Sequence, residues 1–175
     1  MILALDLGTK TGWAAAEREA PFLPPISDDE TAARRAVRHY VHGVFKGPPG
    51  DHAKLAQRFE GFLNRRIQTL DVSFVVIEAQ TEFPQKSRNA AQILLGLKMV
   101  AEKVARQNGI PCVLVETSEM QVHAVGTKRD AKKKKRGERL AALGLTGIDD
   151  NEGDAIFVLS TWLAKVAARN REAAE

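Results

Sequence analysis

Apolar and polar positions divide the chain into short apolar runs and longer segments with helical spacing. Short apolar runs that stop at a charged residue or at Gly and Pro predict strands, here at residues 2–5, 12–16, 40–46, 72–77 and 110–115. Apolar residues three and four positions apart predict amphipathic helices, here at residues 51–70, 87–107, 131–143 and 151–168, with shorter helices at 31–38 and 118–124. Between the first two strands, Gly8 and Gly12 are expected to supply the backbone freedom of a hairpin.

This order of elements predicts an α/β fold. The three leading strands pair as an antiparallel meander, and the strand–helix alternation that follows adds two parallel strands. The expected architecture is a five-stranded mixed sheet flanked by helices. The sequence shows no internal repeat and no linker-like stretch, and its 175 residues fall in the usual range of one domain. We therefore expect a single domain over residues 1–175.

The net charge of the chain hides an uneven distribution. Lys and Arg number 26 and Asp and Glu number 22, for a formal charge of +4. Segment 128–139 alone holds eight basic and two acidic residues, so the remainder of the chain is slightly acidic at −2. A basic run is most often a solvated face or loop, and a polyanion such as nucleic acid is the alternative partner. Charge alone leaves both interpretations open.

Composition excludes several classes of protein. The longest stretch without a charged residue is ten residues, 155–164, whereas a membrane-spanning helix needs about 20 apolar residues. No basic region precedes the first apolar run, so no secretory signal is expected. Cys112 is the single cysteine, which excludes an internal disulfide and a cysteine zinc site. No metal-ligand spacing is found among the histidines, so we expect ordinary surface or packing roles for His39, His42, His52 and His123. These features favour a soluble cytoplasmic protein.

Acidic residues stand at the ends of two predicted strands and at the start of the last helix. Asp6 closes the first strand, Glu78 closes the fourth, and Asp154 lies in the acidic stretch 149–154. Ligands of α/β sheets bind at strand ends, and Asp6 and Glu78 lie side by side if strands one and four are neighbours. An acidic turn or a helix cap is the more common role of each residue taken alone.

A cluster of these acids would need a cation, because like charges a few ångströms apart repel strongly. Asp150 and Asn151 can share one helix face with Asp154. Carboxylate oxygens suit Mg²⁺, and two such ions roughly 3.5–4 Å apart can activate a water and stabilise the leaving oxygen of a phosphodiester. The pattern therefore favours metal-dependent phosphodiester hydrolysis.

Four segments resemble one known family. Residues 2–14, 75–78, 89–102 and 150–155 resemble the opening hairpin, second acidic strand, following helix and closing acidic helix of the RuvC-type Holliday junction resolvases. These crossover junction endodeoxyribonucleases belong to the ribonuclease H-like superfamily, and the phage- and prophage-encoded members are the most similar. The resemblance covers most of the chain except residues 17–38. It implies a ribonuclease H-like fold and Mg²⁺-dependent cutting of branched DNA in recombination and repair, in a bacterial or host cytoplasm.

The resemblance also implies site residues. It carries over Asp6, Glu78 and Asp154 as ligands of two Mg²⁺ ions, which Mn²⁺ could replace. The family has two aspartates three positions apart in its last motif, and here the earlier position is Asn151. Asn151 can still offer a carbonyl oxygen, and Asp150 is the acidic residue one turn before Asp154. Both are therefore candidate ligands, with Glu152 as a supporting residue.

The family further implies a homodimer, formed by the helix after the second acidic strand, and contacts to DNA. It places lysines near the reacting phosphate, for which Lys128 and Lys132 are the candidates. An aromatic residue of the loop after Glu78 would stack at the junction, and Phe83 matches it, although packing within its own loop is equally compatible. Stacking on an unpaired base contributes on the order of 1–3 kcal/mol. Further basic residues would hold phosphates without reading sequence, namely Lys86, Arg88, Arg129, Lys133, Lys134, Lys135 and Arg136.

Three other functions share features with this sequence. Actin- and sugar-kinase-like ATPases also open with Asp-x-Gly-Thr, here residues 6–9, but they need two such domains, so no nucleotide cofactor is expected. Small RuvC-like nucleases of ribosomal RNA processing share the Asp-x-Gly-Thr-Lys hairpin. A non-catalytic module that binds branched DNA is favoured only by Asn151.

Overall fold

The computed structural model describes residues 1–24, 30–79, 88–126 and 133–174 of the chain. Its strands are β1 (Ile2–Asp6), β2 (Lys10–Ala16), β3 (Val41–Lys46), β4 (Phe74–Ala79) and β5 (Cys112–Glu116). Its helices are α1 (Glu30–Val37), α2 (His52–Thr69), α3 (Arg88–Gln107), α4 (Thr117–Val125), α5 (Lys133–Ala142) and α6 (Asp150–Glu172). Within these ranges, no helix is both long enough and apolar enough to cross a membrane.

The strands form one mixed sheet in the order β3-β2-β1-β4-β5. The pairs β1–β2 and β2–β3 are antiparallel, and the pairs β1–β4 and β4–β5 are parallel. The predicted α/β architecture, with three antiparallel strands followed by parallel ones, is therefore confirmed. Leu5 of β1 lies beside Ile77 of β4, so the residues that follow them, Asp6 and Glu78, reach the same edge of the sheet.

Alternate residues of the strands face two separate hydrophobic cores, because side chains of a strand point to opposite faces. Leu3 and Leu5 face a core shared with α2 and α3. Ala4 and Ala14 face the other core, which α6 supplies together with α1, α4 and α5 and which is called the α6 core below. Helix α6 packs on β1 and β2, and the small alanine side chains let it approach the sheet closely. This packing brings the acidic start of α6 to the strand ends.

The N-terminal turn of α6 lies directly against Gly12 of β2. A Cβ atom at this position would overlap the carbonyl oxygen of Asn151, so only glycine permits the approach. Neither Gly8 nor Gly12 has a positive φ. The expectation that they supply conformational freedom is therefore wrong, and Gly12 is needed for a close contact that sequence alone does not reveal.

Helix boundaries in the described ranges agree with the periodicity to within two residues, except at the end of α6. Strand β2 begins two residues earlier than predicted, and β4 and β5 begin two residues later. Helix α6 runs to Glu172 instead of 168, because its last turns are exposed and no apolar spacing marks them. Strand β3 begins at Val41 instead of residue 40, because the backbone N–H of Tyr40 donates to the Val37 carbonyl oxygen at 3.1 Å in the turn after α1. The two short helices predicted after β2 and β5 are confirmed as α1 and α4.

A partly buried histidine joins three parts of the α6 core. The ring Nε2 of His123 lies 2.7 Å from Ser160 Oγ, which accepts a hydrogen bond from the Leu23 backbone N–H at 2.8 Å. Burial, assisted by the positive charge of Arg139, lowers the pKa of His123 to about 4. The sequence predicted a surface or packing role for this histidine, and the structure shows packing.

This histidine predicts a loss of stability in mild acid. Unfolded chains take up a proton near pH 6.5, whereas folded His123 stays neutral down to about pH 4. Stability should therefore fall as the pH drops from 6.5 towards 4, by up to about 3 kcal/mol. Urea unfolding of the wild type and of His123→Gln at several pH values measures this difference, with exposed His52→Gln as control. A His123→Gln curve parallel to that of the wild type would contradict the assignment.

Candidate active site

Two buried carboxylates lie side by side at the C-terminal edge of the parallel strands. Asp6 ends β1 and Glu78 lies near the end of β4, and these strands are direct neighbours. Asp6 is 6% exposed and Glu78 is 9% exposed, although most carboxylates lie at the surface. The predicted proximity of Asp6 and Glu78 is confirmed, because the condition on which it depended, pairing of strands one and four, is met.

Asp154 brings a third carboxylate to this edge from the first turns of α6. Burial raises the pKa of the Asp6 carboxyl well above its usual range, and the charges of Glu78 and Asp154 raise it further. A hydrogen bond between Asp6 and Glu78 acts in the same direction. The three residues, Asp6, Glu78 and Asp154, are called the acidic cluster below. Burial makes the negative charge of the acidic cluster energetically unfavourable unless a proton or a cation neutralises it.

A guanidinium from α5 enters the acidic cluster. Arg136 Nη1 lies 3.1 Å from Asp154 Oδ2, and both side chains are 15% exposed. The positive charge of Arg136 lowers the pKa of Asp6, against the effect of the carboxylates. Its buried Nε has no hydrogen-bond partner among the described residues. The sequence predicts Arg136 as one of the phosphate-binding residues of the basic segment. Its contact with Asp154 is visible only in the structure.

The start of α6 is held in position by its cap. Asp149 Oδ1 accepts hydrogen bonds from the backbone N–H and from the side-chain amide of Asn151, each at 3.1 Å. Lys10 Nζ lies 3.7 Å from the other oxygen of Asp149. An N-cap of this kind satisfies a backbone donor that the helix leaves free. The amide of Asn151 is thus engaged with the cap.

The two remaining candidate ligands and their supporting residue have different surroundings. Asp150 is exposed in the first turn of α6. The carboxylate charges that raise the pKa of Asp6 come from Glu78 and Asp154. Glu152 Oε1 lies 2.6 Å from His42 Nδ1, with the Glu152 side chain 15% exposed. The acidic cluster therefore consists of three carboxylates, and Asp150 and Asn151 precede Asp154 in the first turn of α6.

The donor set of the acidic cluster fits a hard divalent cation. All its donors are carboxylate oxygens, which Mg²⁺ prefers, and their mutual repulsion is what such a cation would relieve. Across the described ranges, no three His, Cys, Asp or Glu side chains already lie in metal-binding geometry. The contact between Asp154 and Arg136 provides a physical reason, because the guanidinium holds one oxygen of a carboxylate that a metal would need.

Several predicted DNA contacts fall outside the described residues. This group contains Phe83, Lys86, Lys128, Arg129 and Lys132. The structure also does not describe the side chains of Arg88, Lys133 and Lys134. Lys135 is described, and it is exposed on α5. These assignments remain predictions.

Comparisons with known proteins identify the fold. No protein-family model and no curated protein matches the sequence. Thermus thermophilus RuvC matches with a TM-score of 0.68 and 16% identity over 95% of this chain and 96% of that chain. T. thermophilus RuvC in complex with a Holliday junction substrate matches with a TM-score of 0.66 and 13% identity, over 94% of each chain. The yeast mitochondrial Holliday junction resolvase Ydc2 matches with a TM-score of 0.59 and 10% identity, over 93% of this chain and 77% of that chain.

These matches extend over nearly the whole chain, and their low identities show similarity of fold. The resemblance that the sequence motifs suggested is confirmed at this level. The chain has the ribonuclease H-like fold of the RuvC resolvases, which are its structural neighbours.

Proposed function

We propose that this protein is a metal-dependent endodeoxyribonuclease that cuts four-way, or otherwise branched, DNA junctions. The observation that carries the proposal is the acidic cluster, Asp6, Glu78 and Asp154, buried at adjacent strand ends of a RuvC-like fold. Structural neighbours that are Holliday junction resolvases support the same class of substrate. An intracellular role in recombination or repair follows from such a substrate.

The acidic cluster would hold two Mg²⁺ ions through the carboxylates of Asp6, Glu78 and Asp154. Asp150 and Asn151, in the first turn of α6, are further candidate oxygen donors. The bound ions would supply an activated water and neutralise charge on the leaving 3′ oxygen, which yields 5′-phosphate and 3′-hydroxyl ends. Burial of Asp6 and Glu78 strengthens their interaction with any cation, because little water screens it.

Among the described basic residues, Arg136 would stabilise the charge on the reacting phosphate. Its guanidinium already lies in the acidic cluster, at 3.1 Å from Asp154. A phosphate entering the cluster would offer the buried Nε an acceptor that it lacks among the described residues. Lys128 and Lys132 remain predicted for the same task, and Lys135 with its basic neighbours for holding phosphates outside the cluster.

A homodimer formed through α3 is part of this proposal. Leu97, Ala101 and Val104 of α3 are buried in the core, whereas Leu95 is 52% exposed and Met99 is 61% exposed. Leu95 and Met99 are four residues apart, so they occupy one helix face. Exposed apolar side chains on one face favour a partner surface, and two copies of α3 would bring equivalent residues together.

Substitution of both exposed residues tests this interface. We expect Leu95→Gln/Met99→Gln to convert a dimer into a monomer without unfolding it, because neither side chain contributes to the core. Light scattering coupled to gel filtration gives the mass, and Val122→Gln, at a residue 39% exposed on α4, is the matched control. A double variant that keeps the dimer mass would place the interface elsewhere.

A cleavage assay on a synthetic four-way junction tests the function itself, with linear duplex and RNA–DNA hybrid as competing substrates. We expect Mg²⁺-dependent cutting of the junction. Equal cutting of all three substrates would contradict selectivity for branched DNA, and preferential cutting of RNA would favour RNA processing. Tight binding without cutting under any divalent metal would favour the non-catalytic module.

A further inference from the structure

Helix α1 carries a basic surface in the part of the chain that the family resemblance does not cover. Ala33, Ala36 and Val37 are buried and attach the helix to the α6 core. Arg34, Arg35 and Arg38 are all exposed on or just after its last turn. The helix is therefore fixed by an apolar face and presents guanidinium groups to solvent.

A cleft opens beside these arginines. It has a volume of about 400 Å³ and is bounded by α1, by the start of β3 and by the loop between α5 and α6. Arg34 and Arg38 line it together with Tyr40 and His42, and none of the lining residues that the structure describes is Asp or Glu. We call it the α1 cleft. Val37, Leu143, Gly144 and Leu145 complete its described lining, so the cleft combines an apolar wall with two guanidinium groups.

The acidic residues near the α1 cleft leave much of its positive charge uncompensated. Glu30 lies 3.8 Å from Arg34, but both side chains are more than half exposed, and such pairs are weak. Glu152 pairs with His42 at the far wall. Arg38 has no ion-pair partner within the described ranges. An anion would therefore meet two guanidinium groups with little competition.

Hydrogen bonds join the walls of the α1 cleft to the end of α5 and to the start of α6. Arg34 Nε donates to the Ala142 carbonyl oxygen at 2.7 Å, which joins α1 to the end of α5. His42 Nδ1 lies 2.6 Å from Glu152 Oε1. Glu152 and Asp154 are two residues apart, so they point about 200° apart around the helix. The α1 cleft and the acidic cluster thus lie on opposite sides of the same helical turn.

We propose that the α1 cleft binds the phosphodiester backbone of a DNA arm that extends from the acidic cluster across the start of α6. This inference depends on the proposed function, since it assumes a DNA substrate. Guanidinium groups match phosphate oxygens in geometry and retain their charge at any physiological pH. Contacts of this kind position the duplex and add affinity without reading sequence.

Salt-dependent binding to a four-way junction tests the α1 cleft, with metal replaced by Ca²⁺ or omitted so that cleavage does not interfere. We expect Arg34→Gln/Arg38→Gln to weaken binding by on the order of tenfold and to reduce the slope of log K against log salt by about 1.8, roughly 0.9 for each phosphate contact. The matched control is Arg58→Gln/Arg65→Gln, which removes the same charge from exposed positions of α2 on the other face of the sheet.

The single variant Arg38→Gln is a control for misfolding of the double variant, because Arg38 makes no ion pair within the described residues. It should reduce the slope of log K against log salt by about 0.9. If the α1 variants and the α2 control lose affinity and slope equally, the effect is one of net charge and the α1 cleft is not a DNA site. If the wild type fails to bind any junction, the proposed function fails and the inference with it. Junction binding by the wild type and full binding by the α1 variants would overturn the inference alone.

Discussion

Asp6→Asn should reduce junction cleavage by about 10³-fold or more while junction binding persists. The substitution keeps the size of the side chain but removes one of the carboxylates that would hold the metal, and a bound metal contributes several kcal/mol to such a reaction. The measurement compares single-turnover cleavage with junction affinity for the same preparations. Binding should survive, because the basic residues that hold phosphates are unchanged.

The same substitution should leave folding intact or improve it. Burial and the charges of Glu78 and Asp154 all disfavour the ionised form of Asp6, as the raised pKa of this carboxyl shows. A neutral amide removes that repulsion, so the thermal midpoint should not fall. Asp71→Asn is the matched control, since Asp71 is exposed with a φ of 47°, a conformation that asparagine tolerates. Unchanged cleavage by Asp6→Asn would remove the acidic cluster from the mechanism.

Arg136→Gln should lower the maximal cleavage rate by about 10²-fold, because a preorganised positive group at the reacting phosphate contributes on this scale. The same variant should bind Mg²⁺ or Mn²⁺ more tightly, since the guanidinium 3.1 Å from Asp154 competes with a metal for that carboxylate. Titration calorimetry with the metal alone measures this second effect without any cleavage. The two effects have opposite directions, which separates a charged role from simple destabilisation.

Lys135→Gln is the control for Arg136→Gln, because it removes the same charge from the neighbouring, exposed position of α5. It should affect junction affinity and its salt dependence more than the maximal rate. Equal rates for Arg136→Gln and the wild type would show that Arg136 only neutralises the cluster before metal binds. Weaker metal binding by Arg136→Gln would contradict the competition between guanidinium and metal.

Local sequence patterns were sufficient to predict the strands, the helices and the positions of two site residues, Asp6 and Glu78. Alternation and β-branched runs mark the strands, and spacing of three and four marks the helices, because each pattern reflects which face of one element is buried. The positions of Asp6 and Glu78 at strand ends follow from the same runs. Motif similarity then suggested the fold that the structural neighbours confirm.

Local patterns were insufficient wherever a contact joins distant segments. The glycine at position 12 was interpreted as a flexible turn residue, whereas its real constraint is the backbone of Asn151 in α6. In the sequence, Asn151 resembles a metal ligand that lacks the charge of aspartate. In the structure, its side-chain amide donates to the cap residue Asp149. Helix α1 was predicted as an element, but nothing in its sequence indicated a cleft against the loop after α5.

For this protein, element order and the acidic strand ends follow from the sequence, because they depend on interactions between residues close along the chain. Tertiary structure decided which charges meet. Pairing of β1 with β4 sets Asp6 beside Glu78, α6 adds Asp154, and α5 inserts Arg136 among them. Such proximity depends on how whole helices pack against a sheet, and no spacing in the sequence encodes it.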